Sequence, residues 1–141
     1  MASEELKKIV AELNTKGKMS FLKAATKEQI NAFETENKIS FPEQYKEWLG
    51  FSDGGECYLP AGVQFYGVAH KPLIDVNDND RPDNNYVVIG ALATGDPIVF
   101  KNSEQKIAIY NHEAERIEND EIYENFFSFL NDLYDLLGIE D

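Results

Sequence analysis

The hydrophobic positions of residues 1–50 repeat with the spacing of amphipathic helices. Ser3 is placed to cap a first helix, which ends at Gly17. The segment 26–29, with the sequence Thr-Lys-Glu-Gln, has the form of a capping box and predicts a second helix that ends near Asn37. The pattern therefore predicts two helices joined by a connector over residues 18–25.

A third, shorter helix is predicted after Pro42, since helices tolerate proline only in their first turn. Its apolar face consists of Phe41, Tyr45, Trp48 and Leu49. Gly50 stands where the end of a helix favours a left-handed residue. Gly54 and Gly55 then let the chain turn into the next element, and Trp48 is predicted to pin this corner to the core.

After residue 55 the apolar residues follow the spacing of β-strands. Short runs rich in β-branched and aromatic residues predict strands at 63–68, 86–92, 97–100 and 106–110. Turn signals at 94–96 and 102–105 separate neighbouring runs and predict antiparallel hairpins. A last apolar stripe at helical spacing predicts a closing helix from about Asp120 to Gly138, with Ile122 on its buried face.

The order of these elements predicts an α+β fold. N-terminal helices and one C-terminal helix are expected to pack on an antiparallel or mixed β-sheet. The length of 141 residues predicts a single domain over residues 1–141.

The charge of the chain is strongly negative and unevenly placed. Eight lysines balance eight glutamates in residues 1–50, so the five basic and eighteen acidic residues of 51–141 carry the whole net charge of −13. Because binding to phosphates requires Lys and Arg, this charge predicts no direct contact with nucleic acid or anionic membranes. It favours a basic protein partner. The alternative is that the acidic residues serve solubility alone.

The only cysteine is Cys57, so the chain has no internal disulfide, which suits a reducing compartment. The N-terminal residues lack the basic and apolar regions of a signal peptide, and no apolar stretch approaches about 20 residues. These features predict a cytoplasmic protein.

The sequence offers little chemistry for a metal or a cofactor. The acidic loop 75–85 invites a calcium-binding interpretation, but an EF-hand loop starting at Asp75 requires Gly and Glu where Asp80 and Tyr86 stand. A structural zinc site requires four ligands, whereas the chain has two histidines and one cysteine. We therefore predict no metal and no cofactor.

Two features of the sequence allow both a catalytic and a structural interpretation. A Cys–His nucleophile would require a histidine to fold against Cys57, but the start of a predicted strand favours a small buried role for this thiol. The glycines of 47–56 follow a helix and precede strands, which is the reverse of a phosphate-binding loop. We therefore predict no catalytic residues, and an enzyme would require a cleft with perturbed titratable groups.

The segment from Ser40 to Leu49, followed by Asp53 to Glu56, resembles the signature of the SUKH superfamily, in particular its Smi/Knr-like branch. The helix before it, the Gly95-Asp96 hairpin and the closing helix are also similar to the family pattern. The chain departs from that pattern at three positions, where Phe41 replaces the usual Leu, Asp53 stands where Asn is common, and Pro97 follows the Gly-Asp step.

This resemblance implies helices packed on a mixed sheet, with no known catalytic residues. Many bacterial members resemble immunity proteins, which neutralise a toxin, often a nuclease, encoded next to them. Other members resemble regulatory scaffolds, including a fungal regulator of cell-wall synthesis.

Two hypotheses follow: an immunity protein that binds a basic toxin domain encoded nearby, and a cytoplasmic interaction module that has no toxin. The acidic residues expected to contact the partner are Asp53, Glu56, Asp75, Asp78, Asp80, Asp83 and Asp96. Exposed aromatic side chains would act as anchors beside them.

Overall fold

A computed structural model describes residues 3–59, 62–70, 72–74 and 85–136. Over these residues the α+β prediction is confirmed. The elements are α1 (Glu4–Lys16), α2 (Lys27–Asn37), α3 (Glu43–Leu49), β1 (Gly55–Cys57), β2 (Val63–Phe65), β3 (Tyr86–Leu92), β4 (Pro97–Lys101), β5 (Ile107–Asn111), β6 (Arg116–Tyr123) and α4 (Phe126–Leu136). Within the described part of the chain, no helix is both long and apolar enough to cross a membrane.

The predicted helix caps of α1 and α2 are confirmed. The side chain of Ser3 accepts a hydrogen bond from the backbone N–H of Leu6 at 3.2 Å. The Thr26 hydroxyl accepts from the N–H of Gln29 at 3.1 Å, and the Gln29 side chain accepts from the N–H of Thr26 at 2.9 Å. All three bonds satisfy N–H groups at helix N-termini that have no backbone partner within the helix.

The prediction of a left-handed residue at Gly50 is wrong. Gly50 has φ −73° and ψ −9°, so it continues the right-handed backbone of α3, which begins directly after Pro42. The Trp48 carbonyl accepts from the N–H groups of both Phe51 and Ser52, which extends the turn. The left-handed conformation occurs instead at Gly54 and Gly55, with φ of +99° and +107°. The chain therefore reverses four to five residues after Gly50.

The strands form an antiparallel sheet in the sequential order β1-β2-β3-β4-β5-β6. Paired residues share a face, so the register defines rows of side chains across the sheet. One row, on the inner face, contains Val87, Phe100, Ile107 and Tyr123. The neighbouring row, on the opposite face, contains Val88, Val99, Ala108 and Ile122.

The main core lies between the inner face of the sheet and the helices. Trp48 of α3 has no exposed surface and makes edge-to-face contacts with Phe65 of β2 and Phe126 of α4, at centroid distances of 5.4 and 5.8 Å. The hydroxyl of buried Tyr45 donates to the carbonyl of Tyr66 at 2.5 Å. Aromatic side chains thus join α3, α4 and the sheet, as predicted for Trp48.

The start of the closing helix differs from the prediction. Residues 116–123 form β6, and Ile122 pairs with Ala108 instead of lying on a helix. Helix α4 begins at Phe126 because Asn125 caps it, accepting from the N–H of Ser128 at 2.8 Å. Gly138, the predicted end, lies outside the described residues. One further difference is that β2 ends at Phe65, three residues before the predicted end, while the strand expected at Cys57 is β1, which ends there.

Candidate functional site

Asp53 lies inside the protein, in the turn between α3 and β1. Its side chain has no exposed surface, so it does not offer the partner contact that the sequence predicted. Its carboxylate accepts hydrogen bonds from the backbone N–H groups of Val68, Ala69 and His70 at 2.7, 2.9 and 2.8 Å. A buried carboxylate requires such partners. Asp53 therefore fixes the loop that follows β2.

The same carboxylate holds the ring of His70, whose Nδ1 lies 2.9 Å from Asp53 Oδ2 and whose side chain is 41% exposed. An Asp–His pair can orient a catalytic base, but that role also requires a nucleophile beside the histidine. Burial raises the pKa of Cys57 to about 12, so this thiol stays protonated at neutral pH. Cys57 is a buried core residue, as the sequence predicted.

The glycine-rich segment 47–56 forms a corner. The Trp48 indole N–H donates to the carbonyl of Gly54 at 2.9 Å. A Cβ atom at Gly54 would lie 2.7 Å from the carbonyl oxygen of Phe65, and the φ of +99° disfavours any side chain. Gly54 thus allows the backbone of this turn to approach the backbone of β2 at Phe65. The segment forms a turn after a helix, whereas a phosphate-binding loop lies at the N-terminus of a helix.

Glu56 and Asp96 lie at separate places. Glu56, on the edge strand β1, accepts from the Gln64 side chain at 3.3 Å, and its backbone pairs with Ser20 through two 2.8 Å hydrogen bonds. Asp96 lies in the β3–β4 turn and accepts from the backbone N–H and the ring Nδ1 of His112, at 3.2 and 2.5 Å. It thereby ties this turn to the β5–β6 turn. The other predicted contacts, Asp75, Asp78, Asp80 and Asp83, lie outside the described residues.

Acidic side chains that the sequence analysis did not single out gather on β6 and its flanking turns. This group, called the acidic edge below, consists of Glu113, Glu115, Glu118, Asp120, Glu121 and Glu124. Arg116 is the one basic residue between positions 113 and 124, and its Nε lies 2.8 Å from Glu118. Across residues 3–59, 62–70, 72–74 and 85–136, no cluster of three or more His, Cys, Asp or Glu side chains is suited to hold a metal ion.

The register of β6 places a bulge within the acidic edge. Tyr110 pairs with Ile117 and Ala108 pairs with Ile122, so residues 118–121 stand opposite the single residue Ile109. Such a bulge re-aims side chains and breaks the ladder of an edge strand. Burial, followed by the charges of Asp120, Asp96 and Glu118, raises the pKa of the Glu121 carboxyl. Burial and these neighbouring charges thus both oppose the ionisation of Glu121.

We expect Glu121→Gln to stabilise the protein modestly at pH 7, by less than about 1 kcal/mol because the cluster is largely solvated. The raised pKa of Glu121 in the folded state means that ionisation opposes folding. Protonation of Glu121 therefore contributes fully to the free energy of unfolding below the usual Glu pKa of about 4.3. This contribution is lost as the pH rises through the folded-state pKa. Urea denaturation at pH 3 and pH 7 would measure the difference, which should vanish at pH 3.

Glu12→Gln provides the control for this prediction, since Glu12 is exposed on α1 and lies four residues from both Lys8 and Lys16. Neutralising Glu12 removes its favourable charge interactions with Lys8 and Lys16, so this variant should show no increase in the free energy of unfolding at pH 7. A Glu121→Gln variant no more stable than the native protein at pH 7 would contradict the expected repulsion.

The outer face of the sheet, which the helices do not cover, carries a second apolar cluster. Val88, Val99, Ala108 and Tyr110 are buried there, with Tyr66, Tyr86 and Ile117 half-buried against them. Ile122 extends the row from Val88 to the acidic edge and is 45% exposed. Within this row, Ile122 is the member that presents substantial apolar surface to solvent, beside the charged residues of the acidic edge.

A sequence model described as the SMI1 / KNR4 family (SUKH-1) matches residues 24–132. The chain belongs to the SMI1/KNR4 family. The match covers α2, α3 and all strands from β1 to β6, while α1 lies outside it. A comparison with curated proteins gave no match.

The residues that carry the SMI1/KNR4 resemblance are structural in this chain. Trp48 and Gly54 bond to each other, and Asp53 fixes the loop after β2. The signature therefore marks the corner that joins the helices to the sheet, where the Asp53 carboxylate accepts from consecutive N–H groups.

The acidic edge of this SMI1/KNR4 domain had a signal in the sequence. Six acidic residues and one basic residue occur between positions 113 and 124. A closing helix that begins near Asp120 divides this run between a loop and a helix, whereas a strand over 116–123 places most of it on one element.

Proposed function

We propose that this SMI1/KNR4-family domain is a non-catalytic protein-binding domain that acts as an immunity protein, neutralising a basic toxin domain encoded nearby. The observation that carries the proposal is the acidic edge beside the apolar outer face. Residues 113–124 hold six carboxylates against one arginine, and most of these side chains are exposed. Such a surface attracts a basic protein and accelerates its capture.

The class of toxin follows from the same charge. An enzyme that cleaves nucleic acid must present Lys and Arg to phosphates, so its substrate-binding surface is basic. An acidic protein can occupy that surface and exclude the substrate. A nuclease toxin is therefore the partner that best complements this domain.

The non-catalytic part of the proposal rests on the groups that titrate unusually. Tyr45 and Cys57 are buried in the core, and burial raises the pKa of both. Glu121 and Tyr123 also have raised pKa values, but they lie on the edge strand β6. A catalytic site would gather such groups around one cleft.

The decisive experiment expresses the product of the adjacent gene with and without this chain. The proposal expects that the product alone stops growth and that co-expression restores it. A non-toxic neighbour, or toxicity that persists on co-expression, would reject the immunity role. A housekeeping or signalling partner recovered by pull-down would then favour the regulatory alternative.

The charge of the acidic edge supplies a kinetic prediction. Replacing Glu118 and Asp120 with lysine is expected to lower the association rate for the toxin about tenfold at low ionic strength, because steering depends on charge. Stopped-flow fluorescence at two salt concentrations would measure it, and the effect should shrink at high salt. Lysines at Glu12 and Glu36, which are exposed on α1 and α2, provide the matched control with the same change in charge. Equal slowing by both pairs would mean that net charge acts without regard to position.

A further inference from the structure

Two neighbouring cavities open beside β1, the edge strand at the opposite side of the sheet from β6 and the acidic edge. The larger has a volume of about 200 Å³, and the smaller, of about 180 Å³, adjoins Ser20 and Leu22 of the connector. Glu56 and Gln64 line both cavities, so a ligand in either one meets the same two side chains. The apolar residues that line the larger cavity include Leu59, Val63, Ala91 and Leu92.

The register of the sheet explains why the two polar side chains lie together. Glu56 pairs with Gln64, and the backbone of Glu56 exchanges its two 2.8 Å hydrogen bonds with Ser20 on the other side of β1. Glu56 and Gln64 therefore form a pair without hydrogen bonds between their backbones, the kind of pair whose side chains approach most closely. The Gln64 side-chain N–H donates to Glu56 Oε1 at 3.3 Å. Among the described residues, Glu56 Oε2 and the Gln64 amide oxygen then remain as acceptors without a donor.

The lining of the cavities is complementary to a cation on an aliphatic stem. Glu56 is the only charged residue among the described residues that line either cavity, and its side chain is half-buried. Lysine and arginine bury their aliphatic stems against apolar surface while their charged ends stay with polar groups. The larger cavity exceeds an engineered cavity of about 150 Å³ that binds benzene, so it has room for one such side chain.

We propose that the larger cavity receives one lysine or arginine side chain of the partner protein. Its charged end donates to the Glu56 carboxylate and the Gln64 amide oxygen, and its stem packs against Leu59 and Leu92. This deepens the proposed function and rests on it for the source of the side chain, a basic protein. The new content is a defined site for a single basic residue, on the strand farthest from the acidic edge.

Two features select an inserted side chain of another protein over other occupants. Ser20 bridges to Glu56 along the outer edge of β1, so a partner strand cannot extend the sheet at this residue. A second copy of the chain would bring a net charge of −13 to a surface of the same charge, which disfavours self-association. A basic protein has no such penalty.

The test uses defined probes, tripeptides with blocked ends in which the central residue between two glycines is lysine, arginine, norleucine or glutamate. NMR titration of the full chain would measure their binding. We expect the lysine and arginine peptides to bind at about millimolar concentration, with shifts centred on Glu56, Gln64 and Ala91. Norleucine has the stem of lysine without the ammonium, so its peptide should bind about tenfold more weakly, because it lacks a charge-assisted hydrogen bond. The glutamate peptide should not bind.

The matched variants are Glu56→Gln and Glu118→Gln. Both residues are half-buried glutamates on edge strands, and both substitutions remove one negative charge while keeping the size of the side chain. We expect Glu56→Gln to weaken binding of the lysine peptide about tenfold and Glu118→Gln to leave it unchanged. Ala91→Lys adds an ammonium to the lining of the larger cavity and should abolish binding, whereas Ala114→Lys, in the exposed β5–β6 turn, should not. Thermal denaturation of each variant checks that it folds.

Several outcomes would overturn the proposal. They are equal binding of the norleucine and lysine peptides, equal weakening by both glutamine variants, and no binding of the lysine or arginine peptide below about 10 mM. Tighter binding of free putrescine than of the lysine peptide would assign the cavity to a small amine, and a dimer that sedimentation shows to be lost in Glu56→Gln would assign it to a second copy. These results concern the cavity alone, whereas failure of the toxin to be neutralised in cells would reject the proposed function and leave peptide binding measurable.

Discussion

Replacing Asp53 with alanine is expected to lower the free energy of unfolding by about 3–5 kcal/mol, because each buried donor left without an acceptor costs about 1–3 kcal/mol. The carboxylate has no exposed surface and accepts from the N–H groups of Val68, Ala69 and His70. Alanine leaves these donors without their acceptor and removes the ring contact of His70. Urea denaturation of both proteins would measure the loss.

Two variants calibrate this result. Asp53→Asn preserves the size of the side chain but replaces one acceptor oxygen with an amide that donates, so it should cost an intermediate amount. Asp120→Ala removes an equal charge from an exposed position on β6 and should change stability by no more than about 0.5 kcal/mol. If Asp53→Ala behaved like Asp120→Ala, the loop after β2 would not depend on this carboxylate.

Trp48→Ala is expected to cost a comparable amount, about 3–5 kcal/mol, because it opens a large cavity between α3 and the sheet. The indole contacts Phe21, Phe51, Phe65 and Phe126, with ring centroids between 5.4 and 6.0 Å away. It also donates to the Gly54 carbonyl. Calorimetric unfolding would report the loss as a lower melting temperature and a lower unfolding enthalpy.

Trp48→Phe separates packing from hydrogen bonding. Phenylalanine keeps an aromatic ring in the cluster but cannot donate to Gly54, so this variant should be less destabilised than Trp48→Ala. A Trp48→Ala protein as stable as Trp48→Phe would indicate that the surrounding rings close over the space, contrary to the expected cavity.

Local signals were sufficient for α1 and α2. The capping hydrogen bonds of Ser3 and Thr26 join residues three positions apart, so a few consecutive residues suffice to predict the start of each helix. The start of α4 shows the limit of this reasoning. Ile122 fits a helical stripe with Phe126 and Phe129, yet pairing with Ala108, fourteen residues earlier, makes it a strand residue. Periodicity alone cannot weigh such a long-range pairing.

Among the predicted contact residues, the burial of Asp53 has a related reason. An acidic residue is assumed to be exposed, but Asp53 is buried because three N–H groups from a later loop converge on it. The residues next to position 53 in the sequence do not predict that these three N–H groups bind its carboxylate. Glu56 and the acidic edge, in turn, lie on the outermost strands β1 and β6 of the sheet. Five strand spacings separate them, roughly 24 Å, so they do not form one surface.

The contacts of α4 also bear on how the chain folds during synthesis. Each strand of the sheet pairs with its neighbour in sequence, so successive hairpins can form as they emerge. Phe126 of α4, however, contacts Tyr45, Trp48 and Phe65, which belong to much earlier segments. Until α4 has been translated, this aromatic surface stays uncovered and open to aggregation. The core therefore becomes complete only after α4 has been synthesised. A chain stalled on the ribosome before residue 126 would have a sheet whose inner face lacks the contacts of α4.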